Sequence, residues 1–270
     1  MSILLIVSGL YLVCAVFLTL AQRRLMYFPC KTSQAELERD AAREGFTPWL
    51  NTEGSAIGWY RATHQPPAKR CVLVIHGNAG CAPDRFHYAY AFQAIEPMDF
   101  YLLEYPGYGG RKGKPSQGTI LRAADEALKN ISSGCCVFLI AESLGTGVAA
   151  YLAGAHPDRI RGVLLIAPYN KMTAVAQRHL PLFPVRAMLR DKYPASTWLA
   201  RYRGPVAVLL AGRDEVVPTE FGRALFDGYA GPKKLWLEPD LGHNELHTPR
   251  DGVWEEVVAF WNEHAVREQK

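Results

Sequence analysis

Short apolar runs alternate with longer amphipathic stretches along the chain from about residue 31 onward. Four of the runs are continuously apolar, as in strands that are covered on both faces of a parallel sheet. They begin at Val72, Val137, Val163 and Val206, and segments 100–105 and 234–237 predict two further strands. The stretches between them have the length and polarity of covering helices: 84–94, 116–130, 143–155, 219–229 and 252–266. This alternation predicts an α/β fold with a mostly parallel central sheet and helices on both faces.

Two segments depart from the simple alternation. Near the start of the alternation, residues 33–43 predict a helix. Segments 47–52 and 55–61 flank Glu53-Gly54 as a hairpin, which we expect at the antiparallel edge of the sheet. Later, residues 172–203 contain short helical pieces broken by prolines. We interpret the region 172–203 as a small cap over the sheet.

The amino terminus is a long apolar stretch. From Ile3 to Ala21 there is no charged residue, and roughly 19 residues at about 1.5 Å each nearly match the bilayer core of about 30 Å. A cleaved signal peptide and a buried core helix are the alternatives, but no basic segment precedes the run and Arg23-Arg24 follow it. We therefore predict a transmembrane anchor over 1–24 and a globular domain over 25–270.

Charge and composition narrow the location and the partners. The arginine flank lies after the apolar helix, so the positive-inside tendency predicts a single-pass membrane protein whose domain faces the cytoplasm. A net charge of +4 over 270 residues, without a basic run interleaved with aromatic residues, argues against nucleic acid as a partner. Six cysteines without a CxxC pair indicate neither a disulfide framework nor a zinc site. We expect free thiols that act as small hydrophobes, as suits a reducing compartment.

Ligands of open parallel sheets bind beyond the carboxyl ends of the strands, so the residues that follow each apolar run carry the chemistry. After the run at Val137 comes Ala141-Glu142-Ser143-Leu144-Gly145 and then a helical stretch. Small residues on both sides of Ser143 allow a sharp strand-to-helix turn that exposes the hydroxyl. The same turn aims the N–H of Leu144 at a developing oxyanion. Ser143 is the predicted nucleophile.

The run at Val72 is followed by His76-Gly77-Asn78-Ala79-Gly80. Its two glycines allow the backbone to approach an acyl group closely, and the N–H of Asn78 is the natural second oxyanion donor. For His76 we favour a structural role, in which it hydrogen-bonds the loop backbone, over a catalytic one.

Two further residues complete a predicted catalytic triad with Ser143. Asp214 follows the run at Val206 and is favoured over Glu215 as the carboxylate that orients an imidazole. His243 lies between the strand at 234–237 and the last helix, where it can reach both Ser143 and Asp214 as the general base. The other histidines have no strand end behind them, and we expect solvated or capping roles for them: His64, His87, His156, His179, His247 and His264.

These residues, in the order nucleophile, acid, histidine, resemble the α/β-hydrolase superfamily over about residues 46–266. The N-terminal anchor, the loop 76–80, Tyr105-Pro106-Gly107-Tyr108-Gly109 and the loop 212–218 are similar to those of the membrane-anchored Bem46-like group. Ala141 departs from the glycine that is usual at this position in the wider superfamily, and we expect its extra methyl group to be tolerated. Four residues are expected to line the site: Gly77, Glu142, Tyr105 and Tyr108.

The resemblance implies serine hydrolysis of small-molecule or lipid-like acyl substrates. We expect a carboxylic ester or thioester hydrolase that works through an acyl-enzyme, with a serine peptidase or amidase as the alternative. A non-catalytic binding protein of the same fold is the rival from another class. The sequence shows no metal-ligand constellation and no dinucleotide-binding glycine pattern, so neither a metal nor a cofactor is expected.

Overall fold

The computed structural model of the chain describes residues 2–63 and 69–265. Ten helices lie in this part of the chain: α1 (Ser2–Met26), α2 (Gln34–Arg43), α3 (Phe86–Gln93), α4 (Gln117–Asn130), α5 (Leu144–Ala155), α6 (Met172–His179), α7 (Val185–Met188), α8 (Ala195–Leu199), α9 (Thr219–Gly228) and α10 (Val253–Ala265). The strands are β1 (Phe28–Pro29), β2 (Thr47–Leu50), β3 (Ala56–Arg61), β4 (Arg70–Ile75), β5 (Ala79–Gly80), β6 (Asp99–Leu103), β7 (Cys136–Glu142), β8 (Ile160–Ile166), β9 (Val206–Ala211) and β10 (Lys233–Glu238).

Eight strands form one sheet in the order β10-β9-β8-β7-β4-β6-β3-β2. All neighbours from β10 to β6 pair in parallel, whereas β3 pairs antiparallel with both β6 and β2. The predicted parallel sheet and its antiparallel edge are therefore confirmed. The four continuous apolar runs became the four strands β4, β7, β8 and β9 inside this sheet, where helices cover both faces.

Helices cover the two faces of the sheet as separate layers. Side chains along β4 alternate, with Leu73 and Ile75 in the core on one face and Val72 and Val74 in the core on the other. The first core includes buried residues of α4, α5, α8 and α9, and the second includes those of α2, α3 and α10. The strands β4, β7, β8 and β9 each carry apolar side chains into both cores, which explains the unbroken hydrophobicity of these runs.

The edge of the sheet follows the predicted local signals. Ser33 caps α2, and its hydroxyl accepts from the N–H of Glu36 at 3.4 Å while the Glu36 carboxylate accepts from the N–H of Ser33 at 3.0 Å. This reciprocal capping box satisfies two donors at the helix start. Strands β2 and β3 form the predicted hairpin across residues 51–55, with Gly54 at a φ of 77°.

The cysteine prediction was wrong for one pair. Cys71 and Cys135 form a disulfide with their Cα atoms 5.9 Å apart, whereas Cys14, Cys30, Cys81 and Cys136 are free. Cys71 lies near the start of β4 and Cys135 immediately precedes β7, and these strands are parallel neighbours. The pair is 64 residues apart in sequence, so only the strand order brings the two sulfurs together. The expectation of a reducing compartment loses its basis, because disulfides persist mainly in oxidising ones.

Two segments do not belong to the alternation of strands and helices. Helix α1 is long and apolar enough to cross a membrane over Ile3–Met26, by length and composition. The region 172–203 holds α6, α7 and α8 between β8 and β9. Helix α8 packs against α5 with Ala195 and Leu199 buried. For this reason, only the earlier part of the region stands above the sheet.

Candidate active site

A sharp turn between β7 and α5 presents Ser143. Its backbone has a φ of 48° and a ψ of −118°, a conformation that a residue with a side chain seldom adopts. Its N–H donates to the carbonyl of Ile166 at 2.9 Å. At Gly145, an added Cβ would collide with the carbonyl oxygens of Ile75 and His76, so the turn requires glycine there. Ala141 is fully buried, which shows that its methyl group is accommodated.

The three residues predicted as a triad lie in one hydrogen-bonded chain. The Nε2 atom of His243 lies 3.1 Å from the Ser143 hydroxyl oxygen, and its Nδ1 atom lies 2.7 Å from the Asp214 Oδ2 atom. The other Asp214 oxygen accepts from the N–H groups of Val216 and Val217 at 2.9 and 2.7 Å. Both carboxylate oxygens are thereby held, and the buried carboxylate can orient the imidazole and stabilise its cation. Glu215, the alternative, is exposed.

The two predicted oxyanion donors lie on either side of Ser143. Leu144 is the first residue of α5, where helix N–H groups have no partner within the helix. Across from it, the Asn78 carbonyl accepts from the N–H of Phe28 at 2.8 Å and from the Tyr108 hydroxyl at 2.7 Å. The Asn78 side chain donates to the carbonyl of Met26 at 3.0 Å. Contacts from the end of α1 and from β1 therefore fix the backbone conformation of the loop 76–80.

Two cavities meet at Ser143, and both also reach Asn78. One, the polar cavity, has a volume of about 660 Å³ and is bordered by Arg85, His87, Glu142 and His247. The second, the apolar cavity, has a volume of about 330 Å³ and is bordered by α1 and by cap residues up to Leu189. Ser143 thus lies between a polar and an apolar space.

A family model and relatives that cover most of the chain together assign the family. The uncharacterized protein Rv2307c of Mycobacterium tuberculosis (strain ATCC 25618 / H37Rv) is 32% identical over 241 residues, which are 85% of this chain and 83% of that protein. A family model described as alpha/beta hydrolase fold matches residues 70–196. This chain belongs to the α/β-hydrolase family.

Its other similarities agree with this assignment. The chain is 25% identical to Protein bem46 of Schizosaccharomyces pombe over 217 residues, 76% of this chain and 71% of that protein, and the predicted Bem46-like group is confirmed. Among solved structures, Est1E from Butyrivibrio proteoclasticus with bound ferulic acid has a TM-score of 0.63 at 17% identity, covering 81% of this chain and 99% of that one. This likeness shows a shared fold.

In this α/β-hydrolase, Glu142 is held by charged and polar partners on the wall of the polar cavity. Its carboxylate accepts from Arg85 at 2.8 Å and from the Tyr88 hydroxyl at 2.6 Å. Burial opposes ionisation of Glu142, but Arg85 and Tyr88 outweigh this effect and hold the pKa of the carboxyl below its ordinary value. Glu142 lines the cavity as predicted, and its charge is already compensated.

Two of the four expected lining residues lie elsewhere. Tyr105 and Tyr108 are fully buried, and neither borders the polar or the apolar cavity. Their hydroxyls donate to the carbonyls of His76 and Asn78, each at 2.7 Å. The two tyrosines therefore hold the backbone of the loop 76–80 in place. Gly77 does border the polar cavity, where an added Cβ would lie 3.5 Å from the Ser143 Cβ atom. The Nδ1 atom of His76 lies 2.8 Å from the Gly77 carbonyl, the backbone contact expected of it.

Some residues of the polar cavity do not follow a strand and were not predicted from the sequence. Arg85 and His87 lie at the start of α3, and burial lowers the pKa of His87. His247 also borders the cavity, with its ring centroid 5.6 Å from that of His87. The expected solvated or capping role was wrong for His87, which is half-buried at the cavity, whereas His247 is exposed and its Nδ1 atom lies 2.8 Å from the carbonyl of Asn244, as expected. Helix α3 begins shortly after the loop 76–80, so chain proximity to that loop was the available signal.

The remaining histidines have separate outcomes. His156 lies 2.8 Å from an Asp125 carboxylate oxygen, and His264 lies 3.0 Å from the carbonyl of Phe260. His179 borders the apolar cavity and contacts the carbonyl of Val216 at 2.9 Å. His64 lies outside the described residues. Within residues 2–63 and 69–265, no group of three or more His, Cys, Asp or Glu side chains could hold a metal ion.

Proposed function

We propose that this α/β-hydrolase is a serine hydrolase of carboxylic ester or thioester bonds in acyl substrates. In this reaction His243, oriented by Asp214, removes the proton of the Ser143 hydroxyl as its oxygen attacks the substrate carbonyl. The N–H groups of Leu144 and Asn78 stabilise the oxyanion. The carbonyl–oxygen or carbonyl–sulfur bond then breaks, His243 protonates the leaving group, and water releases the acyl group from Ser143.

The observation that carries the proposal is the continuous chain of contacts from Asp214 through His243 to Ser143, at 2.7 and 3.1 Å. A hydroxyl is a weak nucleophile unless an adjacent base takes its proton, and a neutral imidazole between a carboxylate and a hydroxyl serves that purpose. The strained backbone of Ser143 supports the same role, since such strain clusters at active sites. An intact triad also disfavours a purely non-catalytic binding protein.

The state of Glu142 favours ester over peptide substrates. A peptidase that recognises a free amino terminus requires a carboxylate available to the substrate ammonium group. Glu142 is the carboxylate beside Ser143, and Arg85 and Tyr88 already occupy both of its oxygens. A substrate with a free amino terminus would therefore find the carboxylate beside Ser143 already paired, which disfavours an aminopeptidase of this kind.

We assign α1 as a single-pass membrane anchor, which leaves residues 25–270 as the catalytic domain with its cap at 172–203. Two features indicate opposite sides of the membrane. Arg23 and Arg24 favour the cytoplasm, whereas the Cys71–Cys135 disulfide favours an oxidising compartment. Protease added to intact cells or spheroplasts leaves a cytoplasmic domain uncut and digests one on the outer side.

The test of the proposed reaction is labelling of the membrane fraction with a fluorescent fluorophosphonate, which reacts with activated serines. We expect wild type to be labelled and Ser143→Ala and His243→Ala to be unlabelled, with loss of turnover of a short p-nitrophenyl ester. Ser55→Ala is the control because Ser55 is exposed in the β2–β3 turn. Equal turnover in Ser143→Ala and wild type would contradict the assignment of the nucleophile.

A further inference from the structure

The apolar cavity is built from two elements that do not belong to the sheet. Leu18, Gln22 and Met26 of α1 form one side, and Val175 and Met188 of the cap form the other. Ser143 and Leu144 also border it, so this space extends to the proposed nucleophile and oxyanion donor. A volume of about 330 Å³ is at the lower end of the range of about 300–1,000 Å³ that is common for ligand pockets.

Polar contacts fix α1 against the cap near the domain. The side chain of Gln22 donates to the carbonyl of Met188 at 3.2 Å and accepts from the N–H of Arg190 at 2.7 Å. Arg23 makes two hydrogen bonds to the carboxylate of Asp191, at 2.9 and 3.2 Å, and Asp191 is buried. A bidentate arginine–carboxylate pair has a defined geometry, so this end of α1 is a positioned wall of the cavity.

A second contact lies farther along α1. The Tyr11 ring stacks on Phe183 with centroids 5.1 Å apart, and its hydroxyl donates to the carbonyl of Leu182 at 3.0 Å. Twelve residues separate Tyr11 from Arg23, which is about 18 Å along a helix. If Arg23 lies at the membrane interface, Leu182 and Phe183 lie beside the apolar middle of the anchor.

The tip of the cap has the chemistry of a segment that enters lipid. Residues 180–185 carry no charge, and the side chain of Leu182 is 81% exposed. A backbone carbonyl inside a bilayer needs a hydrogen-bond partner, and the Tyr11 hydroxyl provides one for Leu182. The space between α1 and the cap would then open toward the hydrocarbon of the membrane.

We propose that α1 and the cap together form an acyl-chain site that takes a single long, linear chain from the bilayer and delivers its carbonyl to Ser143. The chain belongs to an ester or thioester carried by a membrane lipid or by an acylated protein, with the part beyond the carbonyl in the polar cavity. This inference rests on the proposed function for the identity of the reacting atom. It adds that the membrane anchor is itself a wall of the substrate site.

The main test changes the wall of the apolar cavity that α1 forms and leaves the cap intact. In the full-length protein in lipid nanodiscs, we compare hydrolysis of p-nitrophenyl dodecanoate and acetate by Leu18→Trp. The control is Leu20→Trp, since Leu20 is 71% exposed and two residues away on the helix. We expect the dodecanoate-to-acetate ratio of kcat/KM to fall by about tenfold or more in Leu18→Trp and to change less than about twofold in Leu20→Trp.

Ala176→Trp narrows the same cavity from the cap and should lower the ratio in the same way. Fluorophosphonate labelling of Ser143 verifies that each variant is folded. Labelled variants whose ratio equals that of wild type would overturn the inference while leaving the proposed function intact.

A binding measurement that needs no catalysis separates the two proposals further. Ser143→Ala protein is irradiated with a photoreactive hexadecanoic acid, and adducts are mapped by mass spectrometry. We expect adducts within 172–189 that Leu18→Trp suppresses and Leu20→Trp retains. Adducts confined to the outward side of α1 would overturn the site whatever the esterase activity.

The source of the chain is distinguished by two natural-type substrates in the same nanodiscs. Release of hexadecanoate from a lysophospholipid indicates a lipid source, and release from an S-hexadecanoyl peptide indicates an acylated protein. Either release, if it is sensitive to Leu18→Trp, supports the proposal. Release from neither would overturn it.

Discussion

The polar and apolar cavities of this α/β-hydrolase meet at one serine but are built in different ways. The polar cavity is bordered by the loops after β4 and β7 and by the start of α3, all held on the sheet. The apolar cavity is bordered by α1 and the cap, which stand outside the sheet alternation. The charge beside Ser143 in the polar cavity is compensated by the Arg85–Glu142 pair, whereas the apolar cavity has mostly aliphatic walls. Loops at the strand ends thus carry the residues of the predicted triad, whereas α1 and the cap supply most of the apolar walls beside Ser143.

The largest expected effect concerns the proposed catalytic triad, whose Ser143 borders both cavities. Asp214→Asn should lower kcat by about 10⁴ because the asparagine no longer holds the imidazole in the required tautomer. The loss should be the same for short and long acyl esters, since His243 serves every substrate. Glu215→Gln, the exposed neighbour, should leave kcat near its wild-type value. A loss restricted to one chain length would show that Asp214 acts through a cavity wall.

A change on the polar side should mainly affect stability. Arg85→Met leaves the Glu142 carboxylate without its cation, and unpairing a buried ion costs about 3–5 kcal/mol in the free energy of unfolding. The two side chains are only 15% and 17% exposed, so solvent cannot replace the lost partner. Urea unfolding of the purified protein measures the effect.

Arg43→Met is the control for this prediction, because its partner Asp40 and Arg43 itself are 56% and 77% exposed. Removing an exposed pair should cost less than about 1 kcal/mol. Similar losses in both variants would mean that the Arg85–Glu142 pair contributes no more than a surface contact.

Removal of the disulfide would change the protein at a site remote from both cavities. Cys71 and Cys135 lie at the amino ends of β4 and β7, whereas Ser143 follows the carboxyl end of β7. Replacing both cysteines with alanine should lower the free energy of unfolding by about 2–4 kcal/mol, since the bond closes a long loop. The ratio of activities on long and short esters should remain unchanged.

Cys136→Ala is the matched control for a cysteine in the same strand that forms no disulfide. A double variant as stable as wild type would argue that the pair is reduced in the purified protein. An altered chain-length ratio would instead link the amino ends of the strands to the apolar cavity.

The smallest expected effect is the pH dependence that residues of the polar cavity give to the free energy of unfolding. The pKa of Glu142 is lowered in the folded state. Its contribution to the free energy of unfolding is therefore present above the unfolded pKa of about 4.3, and it is lost as the pH falls through the folded pKa. Burial also lowers the pKa of His87, so below about pH 6.5 the unfolded chain takes up a proton first and stability falls. Both groups predict destabilisation by acid.

Urea unfolding at pH 7 and pH 5.5 isolates the histidine, because Glu142 stays ionised over this range. His87→Gln should lose less stability between these two values than wild type does. An identical loss in both proteins would show that His87 remains hydrated in the folded state.

Several parts of the site were predicted from sequence because they depend on local signals. The turn at Ser143 needs small residues at fixed positions, and Asp214 and His243 each follow a recognisable strand, where the topology of a parallel sheet brings loops to one edge. The structure brings these three residues within hydrogen-bonding distance. Tyr105 and Tyr108 were misplaced because a residue in a loop beside the site can face the site or support it, and periodicity does not distinguish the two.

The sequence alone determined the alternation of elements, the faces that they bury and the residues at the strand ends, because these follow from periodicity and turn chemistry over a few residues. Only the tertiary structure decided which distant segments touch. The order of the strands joined Cys71 to Cys135, and the packing of distant elements brought α1 against the cap and placed Arg85 beside Glu142. Such contacts depend on how whole elements pack together, and no local pattern in the sequence records that arrangement.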